Sequence, residues 1–534
     1  MRRSIATASL ILLASAGLPL AHGTTAAAAG GCPAPPPLTF EPPQYVDKTR
    51  AGGEPLVATY PNGRLLYSSH AGTTHFFAPD VAAPGSAAFV ENYTGQTYIW
   101  TSDDNGKTWT FRPRTIPTEG LIASGFSDPE IAIDSAGQVF FSEINLVNVA
   151  VSKSTTKGST WTLQNLGGAV LTDRQWTEAD RKDELYFVAN GQPGGTGTGV
   201  VDGHYISKST DGGKTFTNSI PDQIGGSGLG DIRVDKRNGT VYEAHYSQGN
   251  LAIAAFRNAR AGNLVATDTS LVAAKVRMVA HWPAIDLDPS GNLYITWDED
   301  GTGGRAAGIW YSRSTDAGRH WADPVRVSSG DATAIWPWLG VGDDGRAGIA
   351  WLQADRLLPS NDPQTPGSYG WRIVAAATTT GLGCTASTKP AFTAPTVATP
   401  AAVHVGTICN GGTVCQATLT DRRLGDYFSV DVDNTGRMYM GYSDTQVPAA
   451  VSLPAFVRQQ SGPSLLVPES GGAGKPTATT GQAPAKVPPS TLPKGGKLAA
   501  TGLGDFLPAW AALVLMVGLL GRRRIAATAR RGQE

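Results

Sequence analysis

Apolar and polar residues alternate with a period of two in short runs through the middle of the chain, and each pair of runs is broken by a polar turn. The units are "PLVATYPNGRLLYSS", "PEIAIDSAGQVFFSE", "WTEADRKDELYFVAN", "DIRVDKRNGTVYEAHY", "PAIDLDPSGNLYITWDE", "PWLGVGDDGRAGIAWLQ" and "YFSVDVDNTGRMYMGYSD", seven in all. Period two marks strands, and a D-x-x-G type turn between two of them makes a β-hairpin: Asp starts the turn and Gly supplies the positive φ. Several units add a third run ("YIWTS", "NVAVSKS", "HYISKS", "IWYSRS"), then a repeated box, then a fourth strand beginning at the Trp or Phe of that box.

The box reads "TSDDNGKTW" from Thr101, "KSTTKGSTW" from Lys153, "KSTDGGKTF" from Lys208 and "RSTDAGRHW" from Arg313. Its opening serines, Ser102, Ser154, Ser209 and Ser314, lie one repeat apart except for the last interval, which is two, so the unit around "AAFRNARAGNL" has lost its box. Four antiparallel strands per unit at this period predict β-propeller blades. The box resembles the Asp-box of sialidase-like propellers, S-x-D-x-G-x-T-W. Ser102, Asp104, Gly106 and Trp109 match it fully. Ser209, Asp211 and Gly213 are followed by Phe216 in place of Trp; Ser314, Asp316, Gly318 and Trp321 match with His320 in place of Thr; and Thr156 replaces the Asp after Ser154. The resemblance spans residues 38–457 and implies an all-β, sialidase-like propeller. Sialidases have six blades while the hairpins number seven, so a six- or seven-bladed ring is expected, with seven favoured. Residues 381–422, which hold three cysteines, read as an insertion or an irregular outer strand of the sixth unit.

Strand parity assigns the faces. With strands A to D antiparallel in each blade, the A–B and C–D turns share one face and the B–C and D–A loops share the other. The boxes lie on the first face and are expected to be structural: Asp and Ser bond their own turn, Gly takes a conformation other residues resist, and the aromatic packs between sheets. The second face, the expected ligand mouth, receives the residues before strand A and after strand B. Before strand A come Asp128; Asp173, Arg174 and Trp176; Asp231 and Arg233; His281 and Trp282; Trp336 and Trp338; and Arg423, Asp426 and Tyr427. After strand B come Glu143, Asn190, Glu243 with His245, Asp298 with Glu299, Gln353 and Asp444.

Carboxylates for acid–base work beside aromatic faces for stacking suit a sugar site. The plainer alternative for each Asp is a hydrogen bond to a neighbouring loop. The catalytic candidates are Asp173, Arg174, Asp231, Glu243, Arg423, Asp426 and Tyr427; the ligand-binding candidates are Asp128, Arg233, His281, Trp282 and Trp336. The resemblance implies three arginines on a substrate carboxylate, an Asp acid/base and a Tyr nucleophile activated by a Glu. Arg174, Arg233 and Arg423, with Asp173 or Asp426 and the pair Tyr427 and Glu243, stand where such groups are needed. The family's F/Y-R-I-P motif is absent, however, and the first unit has no Arg before its strand.

Composition narrows the partners. The 43 Lys and Arg balance the 44 Asp and Glu, for a net charge of -1, which argues against a general nucleic-acid or anionic-membrane binder. The four cysteines invite disulfides: Cys409 and Cys415 close a short loop around "NGGTV", leaving Cys32 and Cys384 as a long-range pair, with three connectivities open. Neither C-x-x-C nor H-E-x-x-H occurs, so no metal or cofactor is expected, and a calcium ion among the mouth carboxylates has no spacing signature.

The ends of the chain bear on location. Residues 1–30 combine Arg2 and Arg3, an apolar run and a small-residue stretch, the pattern of a secretory signal peptide. Residues 458–497 are rich in Pro, Gly and Thr and read as a disordered stalk. Residues 498–534 place "LAATG", an apolar segment at 506–521 that reads as a hydrophobic transmembrane helix, and an Arg cluster in that order. This resembles the sorting signal of Gram-positive wall proteins in its LAxTG form, typical of actinobacterial substrates. Leu498, Ala499, Thr501 and Gly502 carry the motif, and the resemblance implies sortase cleavage after Thr501 and attachment to peptidoglycan. The expectation is a secreted, wall-anchored, monomeric propeller that binds a glycan or protein ligand at its mouth. The alternative is a secreted, exo-sialidase-like glycoside hydrolase with degenerate catalytic motifs.

Overall fold

In a computed structural model of the chain, the described residues are 31–70, 97–113, 127–144, 149–165, 173–190, 204–217, 220–221, 228–279, 282–385, 388–409, 415, 420–447 and 452–467. They lie within a compact unit, Met1–Glu469, and the remaining Ser470–Glu534, a separate unit, falls outside them together with the sorting signal. The secretory segment 1–30 and most of the stalk lie outside as well. Among the described residues no helix is long and apolar enough to cross a membrane.

The structure is a seven-bladed β-propeller. Each sheet is antiparallel, its strands follow chain order outward from the axis, and six of the blades are built from consecutive segments. The seventh is not: its strands Ser429–Val432, Met438–Asp444 and Leu453–Ser461 are completed on the outside by the N-terminal strands Thr39–Phe40 and Gln44–Tyr45. The ring is thus closed by joining the two ends of the fold, which removes an open edge that seven consecutive blades would leave. Closure is reinforced by Arg458, which meets Glu41 at 3.0 Å, and by a disulfide between Cys32 and Cys384; Cys409 and Cys415 form the second. The packed chain continues past Val457: Leu465 is fully buried, and its amide donates to the Gly436 carbonyl.

The period-two runs become strands buried on both faces, because each blade is sandwiched between two others. Leu65–His70 is buried throughout its length, with Tyr67 in one inter-blade layer and Leu66 in another. The layer between the seventh and first blades contains Val57, Tyr67, Trp100, Tyr439 and Phe456; that between the fourth and fifth contains Tyr242, Ile253, Ile295 and Trp297.

The boxes occupy the C–D turns of the first, second, third and fifth blades. In the first, Ser102 Oγ accepts from Gly106 N at 2.8 Å, and Asp104 accepts from Thr108 N at 2.9 Å and Thr108 Oγ1 at 2.6 Å. The second keeps the pattern with Thr156 Oγ1 accepting from Thr160 N in place of the Asp. In the fourth blade the lost box is replaced by a short 3-10 turn, Ala259–Ala261. The sixth blade has an irregular outer edge: Thr396–Val397 and His404–Val405 both pair with Gly370–Thr378.

Gly106 shows why the box tolerates so little. Its φ is +83°, and a Cβ there would stand 2.3 Å from the Phe456 ring of the closing blade. Gly106→Ala is expected to cost about 1–3 kcal/mol from strain and overpacking. A thermal melt with an unchanged midpoint would show that the closing blade gives way there.

Candidate functional site

The inner strands enter the ring through a shared distortion. Register shifts interrupt the first few residues of strand A in the first, second, third, fourth and sixth blades. At four of these shifts a non-glycine residue takes a positive φ: Glu54 (46°), Asp128 (52°), Arg174 (46°) and Trp336 (54°). Such backbone is costly for residues with side chains and recurs where surroundings over-determine it. Three of the four, Glu54, Asp128 and Arg174, are charged residues buried near one another.

Arg174 is the centre of what they build. Its guanidinium carbon lies 3.4 Å from the Trp176 ring centroid, 4.5 Å from that of Tyr427 and 5.2 Å from that of Trp282. Trp338 stacks on Tyr427 at 5.7 Å and tilts against Trp176 at 5.8 Å, completing an aromatic cage. Arg174 is only 2% exposed. Its Nη1 donates to the Tyr427 hydroxyl at 3.2 Å, and its Nη2 approaches Glu130 at 3.5 Å. Burial works against its charge, but Tyr427, Asp128, Glu130 and Glu54 more than offset that, and its pKa is raised. The Tyr427 hydroxyl also donates to the Pro129 carbonyl at 3.3 Å, and burial pushes its pKa well above the ordinary tyrosine value.

A second buried arginine, Arg422, pairs with both oxygens of Asp426, one of them at 2.6 Å, and is held charged by Asp426 with Glu54 and Asp128. Glu54 in turn meets His70 at 3.1 Å, both fully buried. Arg174 and Arg422 therefore sense the same carboxylates, Glu54 and Asp128, from two blades.

Further along the axis the channel opens. Counting back two residues from the turn positions Tyr60, Asp134, Asp180, Asp235, Asp288 and Asp433 gives Ala58, Ala132, Glu178, Arg233, Asp286 and Asp431, and all six line the channel. Arg233 Nη1 meets Asp231 at 2.6 Å and Glu178 at 3.6 Å, and its Nε approaches Asp286 at 3.4 Å. Asp286 accepts from Val341 N of the next blade at 2.9 Å, and Asp431 accepts from Thr59 N at 2.6 Å, so these carboxylates also stitch blades together. The cavity above them, about 590 Å³, is bounded by Pro61, Lys236, Pro289 and Asn434. It opens on the face of the D-x-x-G turns, opposite to the face strand parity favoured for a ligand.

The sequence candidates are thus distributed unevenly. Arg174, Trp282 and Tyr427 come together in the cage. Asp231 and Arg233 form an ion pair deep in the channel. Asp426 is taken by Arg422, and Arg423 pairs instead with Asp421 at 2.6 Å. Trp336 is 5% exposed and bounds a small internal void with Leu352, Ile373 and Phe428, so it offers no stacking platform to solvent. Asp128 is buried beside the cage. Glu243 is fully buried in strand Thr240–Ser247, and the Tyr427 hydroxyl contacts described above do not include it. Asp173 begins a strand, but its side chain is outside the described residues, as is His281.

Of the residues after strand B, Asp298 accepts from Val279 N at 3.0 Å and Trp336 N at 3.2 Å; Glu299 accepts from Arg277 N at 2.9 Å and pairs with Arg305; and Gln353 and Asp444 accept from the side chains of Trp351 and Tyr45. Sequence reading missed Glu54, Glu130, Glu178, Asp286, Arg422 and Asp431. A signal existed for three of them: Glu178, Asp286 and Asp431 each stand two residues before a turn Asp, on the inward side of strand A.

No protein-family model and no curated protein matches the sequence. Solved structures similar to the chain include a phage phi92 endosialidase, 10% identical with a TM-score of 0.45, covering 87% of this chain and 77% of that one. A Penicillium chrysogenum alpha-L-arabinanase is 14% identical with a TM-score of 0.36, covering 80% and 98%. A Hadza microbial sialidase is 15% identical with a TM-score of 0.37, covering 58% and 64%. These are likenesses of fold and say nothing about what this chain binds.

The channel carboxylates carry a pH signature. Burial raises Glu130 to about 8 against the pull of Arg174, Asp231 to about 7 against Arg233, and Asp431 to about 6 against hydrogen bonds from Val432 and Thr59. A carboxyl group with a folded pKa above its unfolded one stabilises fully below the unfolded value and loses that contribution as pH rises through the folded value. Stability should therefore fall between about pH 4 and pH 8 from these groups, and Glu130→Gln should flatten the slope by about 1 kcal/mol per pH unit. Denaturant midpoints measured across that range check this; a slope unchanged by the substitution would refute the assignment to Glu130.

Proposed function

We propose that the chain is an exported, wall-anchored β-propeller that binds a glycan or protein ligand at its loop face without hydrolysing it. The secretory pattern at residues 1–30 and the LAxTG-like signal at Leu498, Ala499, Thr501 and Gly502 support export and attachment. Sortase and peptidoglycan are the partners these imply, and the propeller is held outward as a monomer on a Pro- and Gly-rich stalk. No cofactor is invoked.

The observation that carries the non-hydrolytic reading is the state of the groups hydrolysis would need. Tyr427, the nucleophile position, is caged with its hydroxyl held between Arg174 and the Pro129 carbonyl, and burial keeps it protonated. Asp426, an acid/base position, is spent on Arg422. A Tyr nucleophile needs its phenol activated by an adjacent base, and the surroundings of Tyr427 act in the other direction. One observation favours the glycosidase alternative: Arg174 and Tyr427, expected to act together in sialidase-like chemistry, do touch.

Incubation of the purified chain with a broad panel of immobilised glycans and wall fragments separates the two. Retention without release of reducing sugar or sialic acid is expected, with Tyr427→Phe leaving retention within about twofold, since the substitution keeps the ring of the cage. Product release by the wild type that is lost in Tyr427→Phe would establish the hydrolase. For anchoring, Thr501→Ala is expected to shift the protein from the wall fraction to the membrane and medium, and unchanged wall recovery would refute sortase attachment.

A further inference from the structure

We propose that the turn face of the first three blades binds a linear polyanion of the cell wall, a polymer of polyol or sugar units joined by phosphodiesters. This surface is on the opposite side from the loop-face ligand. The choice of a wall polymer rests on the attachment proposed above; the binding of a polyanion does not.

Each box of the first three blades places one lysine at the tip of its turn. Lys107 and Lys214 directly follow Gly106 and Gly213, and Lys157 directly precedes Gly158. Lys182, in the A–B turn of the third blade, is a fourth. All four are exposed, and among the described residues none of their ammonium groups has an ion pair or a hydrogen bond. Lys157 Nζ lies over the Tyr60 ring at 5.6 Å.

The carboxylates of the same turns are already engaged. Asp104 and Asp211 accept from Thr108 Oγ1 and Thr215 Oγ1 of their own boxes, each at 2.6 Å. Asp103 takes both arms of Arg64 at 2.6 and 2.7 Å, and Asp180 takes Arg260 at 2.8 Å. Asp183 accepts from Lys153 and, at 3.1 Å, from Gln138 Nε2. Four ammonium groups are thus left facing water, a local arrangement that the net charge of -1 conceals. In the fifth blade the residue equivalent to Lys107 is Arg319, and it is tied to the Asp316 carbonyl at 3.0 Å.

Contacts between turns make the surface continuous. Arg64 of the first A–B turn donates to the Lys157 carbonyl of the second box at 3.1 Å. Lys153 of that box reaches Asp183 of the third A–B turn, whose carbonyl accepts from Gly212 N of the third box at 2.9 Å. Lysine is a flexible, strongly hydrated point charge. Several of them in an arc suit negative charges spaced along a chain better than one compact anion. The box aromatics Trp109, Trp161 and Phe216 pack against the blade cores and give no stacking platform for bases, which favours a base-free polymer over single-stranded nucleic acid.

The last packed segment of the chain crosses this same face. Leu465 N donates to the Gly436 carbonyl at 2.8 Å and Val467 N to Asp343 at 2.5 Å, in the A–B turns of the seventh and sixth blades. With the attachment signal further along the chain, the turn face is the side by which the propeller is tethered.

Titration of the full chain into fluorescently labelled poly(glycerol phosphate) at several salt concentrations tests this, with dextran as the neutral counterpart. Binding is expected to weaken with salt, with a log–log slope of about -3 for four phosphate contacts. Lys107→Glu, Lys157→Glu and Lys214→Glu combined should weaken it at least about tenfold, while Lys275→Glu, which follows the outer strand of the fourth blade on the loop side, should leave it within about twofold. If the triple variant fails to fold, by circular dichroism, Lys214→Gln decides, by flattening the slope by about 0.7. No binding at low salt, equal binding of dextran, or equal loss in Lys275→Glu would overturn the proposal. Tighter binding of single-stranded DNA or of phosphatidylglycerol vesicles would overturn the choice of a wall polymer. Failure of wall attachment appears separately, as unchanged wall recovery of Thr501→Ala, and leaves this solution measurement unaffected.

Discussion

A guanidinium taken out of water must be surrounded by groups that replace its hydration, and the burial of Arg174 sets the character of this molecule. The aromatic faces of Trp176, Trp282 and Tyr427 supply part of that environment, and Glu54 and Asp128 supply counter-charge. Removing one partner from such a cluster strands the others, which is why clusters of this kind behave as units. The cage packs the axis with aromatic side chains near the B–C and D–A loops, while the same axis is open at the A–B turns. The two faces of the ring therefore carry different chemistry although every blade is built to one plan.

The plan itself was largely legible. Period-two alternation and the D-x-x-G turns located seven hairpins, and the spacing of Ser102, Ser154, Ser209 and Ser314 revealed the blade length even where the fourth unit had lost its box. The seventh blade could be counted but its closure could not be foreseen, because Thr39–Phe40 and Gln44–Tyr45 are too short to show a period and pair with a strand more than four hundred residues away. The pairing of Cys32 with Cys384 was one of three open connectivities until the fold brought the N-terminal segment beside the sixth blade.

The site was less legible, for identifiable reasons. The inner strands begin with positive φ at Glu54, Asp128, Arg174 and Trp336, and nothing in those residue types announces it. Arg422 and Arg423 are adjacent and chemically equivalent in sequence; only the fold buries the first against Asp426 and turns the second to Asp421. Strand parity correctly placed the boxes on the turn face, but concavity does not follow from parity. The cavity lies where the A–B turns surround Glu178, Arg233, Asp286 and Asp431, while Ala58 and Ala132 line the deeper channel and Trp338 bounds it.

The cage and the burial it imposes hold Tyr427 in its neutral form. Its ionisation can be read directly as the difference in ultraviolet phenolate absorbance between the wild-type chain and Tyr427→Phe during alkaline titration. No Tyr427 signal should emerge at or below pH 10, the ordinary tyrosine value, while the protein remains folded. A phenolate appearing near neutral pH would show that the cage does not hold Tyr427 neutral and would restore it as a nucleophile.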